Sequence, residues 1–255
     1  MTRSSETKLD GMSIYLLGEF ILTSQGEVKN LNITSSKYPG IDKDLLRTVS
    51  SWKYHPFMID GVAVDVPVEL DVRLDATFKL NGEVERLHIA SVRTDVKGEL
   101  SKKTSSPIPN IFVRYPTQFK SNVEANVMLV YEVSDDGLVQ QVGVQSLRLF
   151  PVGRIGLSDK RLEFAIKEFS NAALSNRVGQ KIDLSKMKSV FKCAPNCPKI
   201  AQMVFFNLPP GNRFRSWRGY HDAHVPPLKW LKPDELVYEP QQIELIDPSQ
   251  ANIVL

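Results

Sequence analysis

Three copies of one sequence pattern constrain the fold of this chain more than any other feature. Each copy is a run of alternating apolar residues, a short polar turn that ends in glycine, and a second alternating run. The copies span Ile14–Thr34, Val72–Ala90 and Asn126–Ser146. Alternation with a period of two places apolar side chains on one face of a strand, and Gly26, Gly82 and Gly137 supply the positive φ of a tight turn. The sequence therefore predicts three β-hairpins.

Length and charge restrict the class of protein. With 255 residues, of which 42% are hydrophobic and 24% charged, the chain is globular and long enough for two small domains. Its 32 basic and 29 acidic residues nearly balance, so no strong field for nucleic acid or membrane is expected. No run reaches the roughly 18 apolar residues of a membrane span, and residues 1–13 lack a signal-peptide core. We expect a cytoplasmic protein, or one whose export signal or anchor has been removed.

A short helix and an aromatic segment follow the first hairpin. Asp42 is a candidate cap for a helix with one apolar face, formed by Leu45, Leu46 and Val49. The helix is expected to end at Trp52-Lys53-Tyr54-His55-Pro56, because proline cannot continue it. We expect the rings of Trp52 and Tyr54 to fix the helix onto the sheet.

A further alternating run, Val62–Val72, follows a turn at Asp60-Gly61 and predicts a third strand. Pro67 lies within this run and has no N–H for a ladder hydrogen bond. The sequence therefore predicts an edge strand that is available for pairing.

The order of hairpin, helix, aromatic segment, turn and strand resembles the C-terminal domain of TonB-type energy transducers. In that family the helix is followed by W-[RK]-[FY]-x-P, an N/D-G turn and a V-P-[VI]-x-[FL] phrase. The matching segments are Trp52–Pro56, Asp60-Gly61 and Val66–Leu70. The resemblance covers about Ile14 to Leu74, although the Y-P phrase that normally precedes the first strand is absent.

A second, weaker copy follows residues 97–110, whose Ser, Lys and Pro content is typical of an extended linker. Arg114-Tyr115-Pro116 resembles the Y-P motif that precedes the first strand in the family. A helix is predicted over Lys160–Leu174. Its apolar face is formed by Leu162, Ala165, Ile166, Phe169 and Ala173. The W-x-Y-x-P signature is missing and is replaced by an insertion before a candidate strand, Ile200–Leu208.

The resemblance implies an α+β protein with two TonB C-terminal-like modules. Each module is an antiparallel three-stranded sheet, made of a hairpin and an edge strand, packed on a helix. The expected division is a first module with an extra hairpin over residues 12–96, a linker over 97–110, a divergent second module over 111–210 and a C-terminal extension over 211–255.

The resemblance also implies a function in protein binding. TonB-type domains pair their last strand with an N-terminal segment of outer-membrane transporters, and relay energy from a proton-driven inner-membrane complex. The location implied is the periplasm. The partner-binding residues implied are Val62, Val64, Val66, Val68, Leu70, Arg114, Tyr115 and Pro116. The alternative is an envelope binding or scaffolding protein without force transmission. Domains of this type also exchange strands, so a homodimer is allowed.

Cys193 and Cys197 leave several interpretations open. Their spacing in KCAPNCPK suits a disulfide across a short turn, and two free thiols are the simpler reading. A metal site with His221 and His224 would need spacings that differ from those of usual zinc sites. We therefore expect no metal ion.

Catalytic motifs are missing from the sequence. It contains no G-x-S-x-G elbow, phosphate-binding glycine loop or H-E-x-x-H helix, so we expect neither enzymatic activity nor a cofactor. Arginines and aromatic residues mix in NRFRSWRGYHD, a pattern that can stack on single-stranded nucleic acid. Acidic residues at 234, 235 and 239 oppose a polyanion, so nucleic acid is not an expected partner.

Overall fold

The chain divides into two units in the computed structural model. The residues that the structure describes are 9–34, 37–79, 83–98, 113–119, 123–152, 157–184, 199–206, 217–232 and 237–238. Of these, the N-terminal unit contains residues 11–98 and 217–218. The C-terminal unit contains residues 9–10, 113–206 and 219–238. Cys193 and Cys197, the linker residues 99–110 and the turn at Asn81-Gly82 lie outside the described residues.

The N-terminal unit is an antiparallel sheet with one helix. Its elements are β1 (Gly11–Leu22), β2 (Val28–Ile33), α1 (Pro39–Ser50), β3 (Met58–Ile59), β4 (Val62–Ala63), β5 (Val66–Phe78) and β6 (Val84–Val96). The strand order is β2-β1-β5-β6, and β3 and β4 form a separate small hairpin. The first two predicted hairpins are therefore present, as β1–β2 and β5–β6.

Helix α1 covers the sheet with one apolar face. It begins at Pro39, three residues before the predicted cap, because proline at the first helical position lacks only an N–H that would be unsatisfied there anyway. Leu45 and Val49 are fully buried, whereas Leu46 lies at the edge of the face and is partly exposed. Trp52 and Tyr54 are buried directly after the helix, as predicted. They pack on a core formed by β1, β5 and β6.

The prediction that Val62–Val72 is one edge strand, with Val62–Leu70 as its pairing part, is wrong. Val62 belongs to β4 and pairs with Ile59, and the chain leaves the strand conformation at Val64 and Asp65. From Val66 onward the run is the central strand β5, with β1 on one side and β6 on the other. Pro67 is tolerated because it lies at the beginning of β5, before the first residue pair with β6, Val68↔Val96.

The C-terminal unit repeats the plan of a hairpin, a helix and a further strand. Its elements are a 3₁₀ turn (Thr117–Phe119), β7 (Val123–Val133), β8 (Val139–Pro151), α2 (Asp159–Leu174), β9 (Lys199–Phe206), β10 (Arg218–Asp222, of which residues 219–222 belong to this unit) and β11 (Val237–Tyr238). The strand order is β11-β9-β7-β8-β10. All neighbours are antiparallel except β11 and β9, which are parallel.

Helix α2 confirms its predicted apolar face. Ala165, Phe169 and Ala173 are fully buried, and Leu162 and Ile166 pack against the same core. Phe169 contacts the ring of Phe206 on β9 at 5.1 Å between centroids. Burial of large aromatic side chains at this contact joins the helix to the sheet.

The segment after β10 crosses the C-terminal unit from one sheet edge to the other. Strand β10 pairs with β8, and Arg148 of β8 binds the Asp222 carboxylate with two hydrogen bonds of 2.6 and 3.1 Å. Leu228 then covers Gly143, where a Cβ atom would lie only 2.3 Å from the Leu228 side chain. Strand β11 pairs with Lys199 and Ile200 at the start of β9.

The fold is thus α+β, with mostly antiparallel sheet and two α-helices among the described residues. The predicted three-stranded plan needs correction in both units. In the N-terminal unit β6 adds a fourth strand, and in the C-terminal unit β10 and β11 lie at the two outer positions.

Candidate functional site

Both units contain the same contact between a hairpin turn and the segment that follows the helix, which we call the turn clamp. In the N-terminal unit the Tyr54 N–H donates to the Gly26 carbonyl at 2.9 Å. In the C-terminal unit the Ile182 N–H donates to the Gly137 carbonyl at 2.8 Å. The residue before Tyr54, Lys53, forms a β-bridge to Glu27, and the residue before Ile182, Lys181, forms one to Leu138. In both units the bridged residue directly follows the turn glycine. The post-helix segment therefore docks onto the hairpin in the same way in both units.

The close approach explains why the turns need glycine. A Cβ atom on Gly26 would lie 2.1 Å from the Tyr54 carbonyl oxygen, and one on Gly137 would lie 2.3 Å from that of Ile182. Both glycines also have positive φ, +80° and +90°, which other residues adopt only at a cost.

The register of the last strand agrees between the units as well. Phe20, six residues before Gly26, pairs with Val68 of β5. Tyr131, six residues before Gly137, pairs with Ile200 of β9. Strand β9 is therefore the equivalent of β5 in the other unit, and in each case the last strand pairs with the first strand of the hairpin.

The outer edges of these two strands differ. The outer edge of β5 pairs with β6 along nearly its whole length, from Val68↔Val96 to Phe78↔Val84. Within the described residues, the outer edge of β9 pairs with β11 at Lys199 and Ile200. Among the described strands, none pairs with that edge between Ala201 and Val204.

The predicted contact phrase Arg114-Tyr115-Pro116 lies partly inside the C-terminal unit. The Tyr115 hydroxyl is within hydrogen-bonding distance of the Phe119 carbonyl, at 3.0 Å, and of the Val123 carbonyl. Its ring contacts Phe169 edge-on at 5.6 Å, and burial raises its pKa. Pro116 is buried, and Arg114 is exposed. The described contacts of Tyr115 therefore lie within its own unit.

The aromatic pair of the N-terminal unit has a packing role too. The Tyr54 ring stacks on Phe20 at 5.4 Å and meets Trp52 edge-on at 6.4 Å. Burial raises the pKa of the Tyr54 phenol, so the group stays neutral. We infer that this pair stabilises the turn clamp.

A buried polar network lies on the helix side of β9. The Arg177 guanidinium, only 2% exposed, donates from Nε to the Ala173 carbonyl at 3.1 Å and from Nη1 to Gln202 Oε1 at 3.2 Å. The Tyr131 hydroxyl donates to the same Gln202 oxygen at 2.7 Å. Burial lowers the pKa of Arg177 and raises that of Tyr131 to about 12. Sequence reasoning missed this network, because a polar residue just after a helix ordinarily faces solvent.

One buried polar cluster lies on the paired strands β1 and β5. Ser13 donates to the Asp75 carboxylate across the β1–β5 pair, and Arg73 Nε lies 3.4 Å from the same oxygen. No group of three or more His, Cys, Asp or Glu side chains in the described ranges could hold a metal ion. In the same part of the chain, none of the helices has both the length and the apolar character needed to cross a membrane.

Comparison with known proteins identifies one family. Residues 7–80 match the family model described as the C-terminal domain of Gram-negative bacterial TonB protein. This stretch contains β1 to β5, and hence the first turn clamp. No curated protein and no solved structure matches the chain. The matched segment is thus a TonB C-terminal-like domain, and the family match ends before β6.

Proposed function

We propose that this protein is an interaction module of a TonB-like energy transducer in the periplasm, and that it binds extended peptides of outer-membrane transporters by strand addition. The observation that carries the proposal is the match of residues 7–80 to the TonB C-terminal family, whose order of hairpin, helix and last strand this unit retains. Main-chain hydrogen bonds would supply affinity, and alternate side chains would supply selection.

We further propose that the C-terminal unit is a second, divergent TonB C-terminal-like module. The turn clamp at Gly137 and Ile182, and the pairing of β9 with β7, support this reading. The W-x-Y-x-P signature is then replaced by Gln180-Lys181-Ile182, in which a buried isoleucine occupies the place of Tyr54. The second unit thus keeps the backbone contacts of the clamp, although the aromatic residues of the signature are absent.

The peptide would add to the outer edge of β9 between Ala201 and Val204. The equivalent edge in the N-terminal unit already holds β6. The β5–β6 pair therefore serves as an internal model of the complex, with an antiparallel strand next to the last strand of the module. The residues that the sequence predicts in Val62–Leu70 are poor candidates, since Val66, Val68 and Leu70 are buried in a central strand.

The second candidate is an envelope scaffolding protein that keeps the fold without transmitting force. The observation that favours it is the occupied edge of β5, because a module whose last strand is already paired cannot accept a transporter segment there. The two candidates differ in one property, which is saturable binding of transporter peptides.

The test is a fluorescence anisotropy titration of the full chain against labelled nine-residue N-terminal peptides of outer-membrane transporters. Each peptide that binds is then synthesised with N-methyl groups on either its odd or its even amides. Only one of the two sets faces β9 in an added strand, so we expect that set to lose about tenfold or more in affinity and the other to change little. Equal effects of both sets would refute strand addition.

A variant in the first unit controls for the site. Val62 is 63% exposed on β4, so Val62→Lys should fold normally and should leave peptide binding unchanged. Loss of binding in this variant would move the site to the β3–β4 hairpin. Failure of every peptide to bind would favour the scaffolding candidate.

A further inference from the structure

We infer that Arg177 selects an acidic side chain at one position of the partner peptide. The inference rests on the proposed strand addition at β9, and it specifies the chemistry of the partner. Arg177 would act as a specificity residue for a Glu or Asp that enters the sheet next to Gln202.

The first argument is the incomplete pairing of a buried cation. A guanidinium carries five N–H donors. In the described part of the chain, Arg177 contacts the Ala173 carbonyl, the Gln202 amide oxygen and the Tyr131 hydroxyl, and no carboxylate forms an ion pair with it. Buried charges are normally paired with an opposite charge, because removal from water is costly.

The partners of Arg177 among the described residues are all neutral. The Ala173 carbonyl belongs to the last turn of α2, where the helix dipole favours a cation. The amide of Gln202 and the phenol of Tyr131 contribute only dipoles. A carboxylate from another chain would complete the pairing with charge-assisted hydrogen bonds, which are stronger than those to neutral acceptors.

The second argument is the position of Gln202 on β9. Its neighbours at two-residue intervals, Ile200 and Val204, belong to the core beneath α2, so Gln202 lies on the helix side of the sheet. A strand added to the outer edge would place one side chain opposite Gln202 on the same side, with Cβ atoms about 5 Å apart. That side chain would lie within reach of the guanidinium bound to Gln202.

The N-terminal unit supplies an internal model of this position. Leu70 of β5 occupies the place of Gln202. Leu70 pairs with Gly18 of β1 and Gln202 pairs with Leu129 of β7, and each of these partners lies eight residues before the turn glycine of its hairpin. The residue opposite Leu70 on β6 is Thr94, which is completely buried. A peptide side chain at the corresponding place on β9 would also be buried, and a carboxylate there would meet Arg177 away from solvent.

The experiment combines a peptide scan with two variants of the full chain. The tightest-binding peptide of the transporter panel is resynthesised with Glu, and separately with Gln, at each position in turn. We expect Glu to bind about tenfold or more tightly than Gln at one position and equally at the others. The variant Gln202→Glu supplies the carboxylate from β9 itself, so it should abolish this preference. Arg177→Met should abolish it as well.

The two variants together control for folding, because they are expected to change the stability of the Arg177–Gln202 contact in opposite directions. Arg177→Met removes a helix-capping contact and is expected to lower the melting temperature, whereas Gln202→Glu is expected to keep or raise it. If the preference for Glu over Gln persisted in Gln202→Glu, or if no peptide position showed it, the proposed role of Arg177 would be overturned. Strand addition itself would not be affected by that result. Absence of binding by every peptide would overturn both.

Discussion

Replacement of Gly26 by alanine tests the turn clamp directly. At φ +80° an alanine costs about 1 to 2 kcal/mol of conformational energy. Its Cβ would also lie 2.1 Å from the Tyr54 carbonyl oxygen, which must move and weaken the hydrogen bond from the Tyr54 N–H to Gly26. This second effect adds about 1 to 2 kcal/mol. We expect Gly26→Ala to lower the free energy of unfolding by about 2 to 4 kcal/mol.

Gly61 is the matched control for this substitution. Its φ is +81°, nearly the same as that of Gly26, but nothing lies within 4 Å of an added Cβ. Gly61→Ala should therefore cost only about 1 to 2 kcal/mol. In the C-terminal unit, Gly137→Ala and Gly179→Ala form the same pair, since Gly137 faces the Ile182 carbonyl and Gly179 has open space.

Urea unfolding of the four variants, followed by circular dichroism, gives the comparison. The two units can unfold in separate transitions, so each pair is compared within the transition of its own unit. A difference of about 1 to 2 kcal/mol within both pairs is expected from the repeated clamp. If each pair lost equal stability, the close approach of the turn to the post-helix segment would have no energetic role, and the argument for a repeated module would fail.

Three further predictions follow from packing and burial. Trp52→Ala removes a large buried side chain and should lower the free energy of unfolding, measured in urea, by about 3 to 5 kcal/mol. A loss below about 1 kcal/mol would contradict the place of Trp52 in the core. Val72→Pro should cost about 3 kcal/mol or more, because β5 pairs on both sides, whereas a small loss would be typical of an edge strand. Burial lowers the pKa of His221, 3.9 Å from the Asp10 carboxylate. The stability due to neutral His221 is therefore present above its unfolded pKa of about 6.5 and is lost as the pH falls. The urea concentration at the unfolding midpoint should fall between pH 7.5 and pH 5, and it should fall less in the His221→Phe variant. An equal fall in both proteins would refute the contribution of His221.

The parts of the fold that sequence predicted are those set by short-range chemistry. Alternation and an Asp-Gly or Gln-Gly turn act within about 20 residues, so the hairpins at Gly26 and Gly137 could be read directly. The apolar face of α2 is likewise a local property of its sequence.

The order of strands in the sheet could not be predicted in the same way. Alternation shows which side of a strand is buried, but it does not show how many neighbours the strand has. Pro67 favoured an edge, yet it lies at the strand end, where β6 has not yet begun to pair. Arg177 was missed for a related reason, since its burial depends on Gln202, 25 residues away on another strand.

Hydrogen exchange tests the central claim of strand addition most directly. Amide exchange of the full chain is measured by NMR with and without a saturating transporter peptide. We predict slower exchange at alternate amides between Ala201 and Val204 of β9, and no change in β5, whose two edges are already paired. Slower exchange confined to Val62–Leu70, or unchanged exchange throughout β9 with the peptide bound, would contradict the account.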